Sequence, residues 1–144
     1  MWVHSRYRSE AGNLLEIEDV GKWQAAFTKF HNKMKSHSEF EDGQLFKFFV
    51  GHRIGNQDKF QELMKQHEDV RAGQEILDGL AKLQTEPNED LKKDVLRKMK
   101  NYVKDLEEHL DMEEKTVVGP WLQLTAEQYK VYRSYLSWKY CFMY

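Results

Sequence analysis

Two pairs of residues in this chain share one spacing and one setting: His37 with Glu41, and His109 with Glu113. Each is a His-x-x-x-Glu step. On an α-helix the two side chains then lie about 40° apart around the axis and about 6 Å apart along it, so both can reach one point. Each pair also interrupts an apolar stripe. The first stripe runs Trp23, Phe27, Phe30, Met34, His37, Glu41, Leu45, Phe48, and the second runs Val95, Met99, Tyr102, Leu106, His109, Glu113, Val117. Steps of four and three residues recur along both, the period of a helix face turned toward a core. From Tyr102 onward the second stripe repeats the spacing of the first from Phe30 onward.

An ionised carboxylate in an apolar interior is strongly disfavoured; it neutralises or finds a counter-charge. Two that face each other also repel. A divalent or trivalent metal removes both difficulties, because carboxylates can bridge two cations while imidazoles fill terminal positions. Inward Glu and His residues of helical bundles build di-metal sites in this way. The competing reading is a buried hydrogen-bonded His/Glu network, which seldom appears in matched duplicate. Two further histidines join the pattern. His67 stands in a stripe with Phe60, Leu63, Val70 and Leu77, and His4 stands in line with Tyr7, Ala11 and Leu15. A core histidine bonded to a carbonyl is the alternative for His67, and a surface histidine near a loose terminus is the alternative for His4. The candidate metal ligands are therefore His4, His37, Glu41, His67, His109 and Glu113.

The elements that must position them follow from turn signals. A first helix is expected from about Trp2 to Leu15, and Asp19 is expected to cap a second that runs to about Val50, before Gly51 and Gly55-Asn56. A third is expected from about Asp58 to Leu83. Asn88 then caps a fourth, which continues to about Val118 and is ended by Gly119-Pro120. Thr125-Ala126-Glu127-Gln128 has the form of a capping box and opens an aromatic C-terminal helix, about 126–140. No stretch alternates like a strand, and the loops are short. The expected fold is all-α: an up-down antiparallel four-helix bundle over about residues 2–118 with an extra C-terminal helix, one domain spanning 1–144.

Composition narrows the function classes. The 144 residues carry 22 basic and 24 acidic side chains, a net charge of −2, so no global field recruits nucleic acid or anionic membrane. The basic stripe Lys93, Arg97, Lys100, Lys104 is broken up by acidic residues and reads as a solvated helix face. No apolar run approaches the roughly 20 residues that span a bilayer, and the N-terminus lacks a signal-peptide core. The single cysteine, Cys141, forms no internal disulfide, so a reducing, cytoplasmic setting is expected. His31, about 120° off the face of His37, is expected in solvent, and His52 in a loop. The tail Tyr129, Tyr132, Tyr135, Leu136, Trp138, Tyr140, Phe142 is expected to pack across the bundle end or to form a homodimer contact.

The order His, His-x-x-x-Glu, His, His-x-x-x-Glu, one group per helix, resembles the hemerythrin and HHE cation-binding family. The matching stretches are His4-Ser5-Arg6-Tyr7-Arg8, His37-Ser38-Glu39-Phe40-Glu41-Asp42, Gln66-His67-Glu68-Asp69-Val70 and His109-Leu110-Asp111-Met112-Glu113-Glu114, followed by Leu124-Thr125-Ala126-Glu127. The resemblance covers roughly residues 4 to 128. It implies two non-haem iron ions bridged by Glu41, Glu113 and an oxo or hydroxo group, with the four histidines as terminal ligands. One departure is Arg71, which stands where oxygen-carrying members place a second histidine on the third helix. The resemblance then implies an added coordination position and a site closer to the iron-responsive hemerythrin-like domain of an F-box ubiquitin-ligase subunit.

The leading functional expectation is a di-iron protein that binds dioxygen or a related small ligand, with Phe30, Met34, Tyr102 and Leu106 as an apolar sheath. The alternatives are an iron- or oxygen-sensing domain whose stability follows metal supply, and a di-iron peroxidase or oxidase with Tyr102 as a redox-active neighbour. A metal-free helical interaction module is the remaining class.

Overall fold

Side-chain caps start most of the helices. The Asp19 carboxylate accepts from the Lys22 N–H at 2.8 Å and opens α2, Val20–Phe40. Asn56 accepts from Lys59 N–H at 3.2 Å and opens α4, Gln57–Glu68, and Asn88 accepts from Leu91 N–H at 2.9 Å and opens α6, Glu89–Leu122. The capping box at the head of α7, Ala126–Tyr140, is reciprocal: Gln128 N–H donates to Thr125 Oγ1 at 3.1 Å, and Thr125 N–H donates to Gln128 Oε1 at 2.9 Å. Each cap satisfies amide protons that a helix start leaves without partners. With α1, Trp2–Leu14, α3, Phe46–Gly51, and α5, Arg71–Thr85, these complete an all-helical chain with no strand among the described residues. The computed structural model describes residues 2–140, with side chains over 3–134; Cys141 and the aromatic side chains from Tyr135 onward lie outside the described residues.

Three elements differ from the periodicity. The second helix does reach Gly51 as a continuous rod, but through a widened π-helical turn, Glu41–Leu45, between α2 and α3. A wider turn rotates the downstream face, so Phe46 and Phe49 become fully buried beside Leu45 and Phe48. The third helix is not one helix. Asp69 and Val70 divide α4 from α5, because the Asp69 carboxylate accepts from the Arg71 N–H at 3.2 Å and holds the Arg71 guanidinium at 2.7 Å. Such local bonds compete with the helical ladder. Val70 is consequently 54% exposed instead of joining the core stripe. The fourth helix, finally, runs through Pro120 to Leu122 instead of stopping at Val118. The Pro120 ring closes against the turn at Gly55, where an added Cβ would lie 2.5 Å from Pro120 Cγ.

Contacts run from α1 to α2, α2 to α5, α5 to α6 and α6 back to α1, while α4 packs on α3 and α6. The pairings fix directions. His4 meets Glu114 and Arg8 meets Asp111; Glu10 meets Lys33 while His4 approaches Glu41; His67 meets His109 and Glu75 meets Lys98. An advance along α1 is thus a retreat along α6 and along α2, so α1 runs antiparallel to both. Two apolar clusters fill the interior. One gathers Trp23, Phe27, Phe30, Ile76, Leu80 and Met99, and the other Phe46, Phe49, Phe60, Leu63, Val117 and Tyr132. Along the rod formed by α2 and the π turn the first ends at Met34 and the second begins at Leu45, so His37 and Glu41 fall at the junction. Tyr132 anchors α7 on Phe48 and Trp121 at ring distances of 5.3 and 4.8 Å. No helix among the described residues is long and apolar enough to cross a membrane.

Gly55 sits at φ 78° with Pro120 against it. Gly55→Ala is therefore expected to lower stability by about 1–2 kcal/mol through backbone strain alone, with the clash adding to it. Urea unfolding of the two proteins checks this, and an unchanged midpoint would contradict the packing described.

Candidate metal centre

The helices bring all six candidate residues to one place. His4 comes from the first turn of α1, His37 from α2, Glu41 from the start of the π turn, His67 from the last turn of α4, and His109 and Glu113 from α6. Glu41 turns one oxygen to each side: Oε1 lies 3.2 Å from His37 Nε2 and 4.0 Å from His4 Nε2, while Oε2 lies 3.7 Å from His67 Nε2. Glu113 does the same. Its Oε2 lies 3.5 Å from His4 Nε2, and its Oε1 lies 3.0 Å from His109 Nε2 and 3.3 Å from His67 Nε2. Two groups that could hold a metal ion result: His4, His37, Glu41 and Glu113, and His67, His109 and Glu113. Glu113 is common to both.

The outer edges of three imidazoles are tied down. His4 Nδ1 pairs with Glu114 Oε1 at 3.0 Å, and Arg8 donates to the same oxygen at 3.0 Å. His67 Nδ1 pairs with Asp42 Oδ1 at 2.8 Å, and His109 Nδ1 with Gln66 Oε1 at 2.6 Å. A carboxylate or amide oxygen only accepts, so each of these Nδ1 atoms carries a proton and each Nε2 is left to face the centre. Sequence reasoning missed the roles of Arg8, Asp42, Gln66 and Glu114. Three of them are chain neighbours of a candidate ligand, which was the available signal. Each, however, supports a histidine on a different helix, a pairing that spacing along one helix does not reveal.

Four atoms of the centre, His4 Nε2, His37 Nε2, Glu41 Oε2 and Glu113 Oε2, are buried without a hydrogen-bond partner. An unsatisfied buried polar atom costs on the order of 1–3 kcal/mol, and four converging on one spot are the donor set a cation would satisfy. Protonation tells the same story. Burial, with Glu113 beside it, pushes the Glu41 carboxyl up to about 11. Burial also opposes charge on Glu113, but its close neighbours His109, His67 and Glu41 outweigh it and hold Glu113 well below the usual carboxylate range. Burial pulls His37 down to about 4 and lowers His4. At His67 burial is overcome by Glu113 and Asp42, and the group titrates above its ordinary value. Arg8 holds Glu114 down to about 2.

Other residues fall outside the centre. Arg71 is 85% exposed and paired with Asp69; since α4 ends at Glu68, the position four after His67 belongs to another helix. His31 is not in open solvent as expected. It is half-buried, stacked on Phe27 at 5.8 Å, in space that exists because Gly73 lacks a side chain. His52 is exposed at the end of α3, against Phe48. Tyr102 packs on Phe27 at 5.3 Å, and burial pushes its phenol up to about 12. Lys93, Arg97, Lys100 and Lys104 are exposed, with Arg97 and Lys104 paired to Asp94 and Glu108.

Inward histidines and carboxylates, delivered one group per helix to a buried centre, define a helical cation-binding domain. The model of the hemerythrin HHE cation-binding domain matches residues 4–120, and the chain belongs to that family. It has no match among curated proteins and none among solved structures.

Two predictions come from this geometry. Asp42→Ala removes the acceptor that orients His67 and should weaken metal binding by about 10–100-fold while leaving helical content unchanged; calorimetric metal titration with circular dichroism checks it. A cation must also displace the proton that burial holds on Glu41 up to about 11. Uptake should then release protons, and apparent affinity should rise by up to about tenfold per pH unit across the neutral range. Affinity independent of pH would contradict this protonation scheme.

Proposed function

We propose that this chain is a non-haem di-iron protein, built as an up-down four-helix bundle, that binds dioxygen or a related small ligand. The observation that carries the reading is the division of both carboxylates between two histidine pairs: each of Glu41 and Glu113 directs one oxygen to the His4/His37 side and one to the His67/His109 side. That arrangement matches two cations bridged by two carboxylates, with imidazoles at the ends. Family membership supports a bound cation. Iron is the choice that the hemerythrin likeness favours.

When bound, an iron pair supplies the electrons for reversible chemistry with dioxygen. The protein's own part is binding, orientation and exclusion. Glu114, Asp42 and Gln66 hold three ring orientations. Tyr7 lies against His37 at a ring distance of 5.0 Å, and Phe46 stacks on His67 at 5.9 Å, so both sides of the centre carry an aromatic wall. Phe30 and Met34 are buried along α2, whereas Tyr102 and Leu106 are half-buried along α6. A site walled this way admits small, weakly polar ligands more readily than bulky polar substrates.

A second reading, iron sensing through stability, is favoured by the four unpartnered donor atoms. Without a cation they destabilise the fold, so metal supply and folding are coupled. The two readings share the centre and differ in what is measured. Anaerobic iron-loaded protein cycled between dioxygen and argon should show a visible absorption change that reverses on each cycle. A single irreversible change would count against carriage. Protease resistance that rises steeply with iron would then favour the sensor, and equal resistance with and without iron would exclude it.

A further inference from the structure

The two halves of the centre are not alike. His4 and His37 form a compact donor group with both carboxylates, whereas His67 and His109 form one with Glu113 alone. The Nε2 atoms of His4 and His37 are buried without a hydrogen-bond partner, so a cation that binds them breaks no hydrogen bond of either ring nitrogen. The Nε2 atoms of His67 and His109 instead lie 2.8 Å from each other, at hydrogen-bonding distance. Their Nδ1 atoms are already committed to Asp42 and Gln66. A cation entering that half must therefore break an existing contact and part the two rings.

Enclosure separates the end members, His4 and His109, while His37 and His67 fall between them. The His4 and His37 side chains are 0% and 10% exposed, against 5% and 15% for His67 and His109. His4 is anchored by Glu114, which Arg8 of the same helix also grips. His67 lies on the last turn of α4, just before the chain breaks at Asp69 and Val70, and the Gln66 that holds His109 is on the surface.

We infer that the centre fills in order, the first cation at His4, His37, Glu41 Oε1 and Glu113 Oε2, the second at His67, His109 and the remaining carboxylate oxygens. The second is weaker and exchanges faster. This rests on the dinuclear reading above and adds to it an assignment of the two positions. The two donor groups share Glu113, so repulsion from the first cation would widen the gap between the steps.

Zinc(II) tests this in the full chain, because it is diamagnetic and accepts both imidazole and carboxylate donors. Imidazole nitrogens are followed by two-dimensional NMR as zinc is added to metal-free protein. The first equivalent should shift His4 and His37 and leave His67 and His109 in place; the second should shift the latter pair with at least about tenfold weaker affinity. All four moving together in proportion, or His67 and His109 moving first, would overturn the ordering and leave the dinuclear reading standing. No movement, or saturation at a single equivalent, would overturn both. His109→Ala, with helical content unchanged by circular dichroism, should keep the first step and lose the second. Loss of the first step in that folded variant would contradict the assignment.

Discussion

Two carboxylates and four imidazoles meet in the interior of this protein, and the rest of the structure is arranged around the difficulty of holding them there. Burial and the other carboxylate work against charge on both Glu41 and Glu113: one carboxyl is held protonated by burial and its neighbour, while the other is kept ionised by the groups beside it, His109, His67 and Glu41. Even so, buried oxygens and ring nitrogens remain without partners. Each such unpartnered atom is costly to bury, and a cation would satisfy them together.

The surrounding elements supply rigidity. The polar residues lie between two apolar clusters, so α2 and α6 are clamped above and below the centre by Phe30, Met34, Phe46 and Val117. The π turn begins at Glu41 itself. By widening the helix there it lets Glu41 face the axis while the next residue, Asp42, reaches His67. Outside the histidines, Arg8, Glu114 and Gln66 connect the centre to the surface through hydrogen bonds. Their work is orientation, since a ring fixed at Nδ1 has one direction in which to present Nε2.

Much of this was legible in the residues. The duplicated His-x-x-x-Glu step on two apolar stripes located His37, Glu41, His109 and Glu113, and the same periodic reasoning added His4 and His67; the structure brings all six together. Asp19, Asn88 and Thr125 were readable as helix starts because a cap acts within three residues. What was not legible depends on interactions between helices or on local competition. Asp69 stops α4 through bonds to Arg71 that no apolar period encodes. Phe46 and Phe49 are buried by a rotation that an ideal helix lacks. His31 is drawn inward by a missing Cβ on the facing helix, at Gly73. Pro120 stays inside α6, where the residue type alone predicts a stop.

The most direct measurement is metal content of the full chain expressed with ample iron, set beside a folded His109→Ala, Glu113→Ala double variant. If the two histidine pairs and two carboxylates hold a dinuclear centre, the unaltered chain should carry about two irons and the variant should lose them. Metal absent from the unaltered chain, or equal in the two proteins, would mean that these residues form a structural hydrogen-bonded network and not a metal centre.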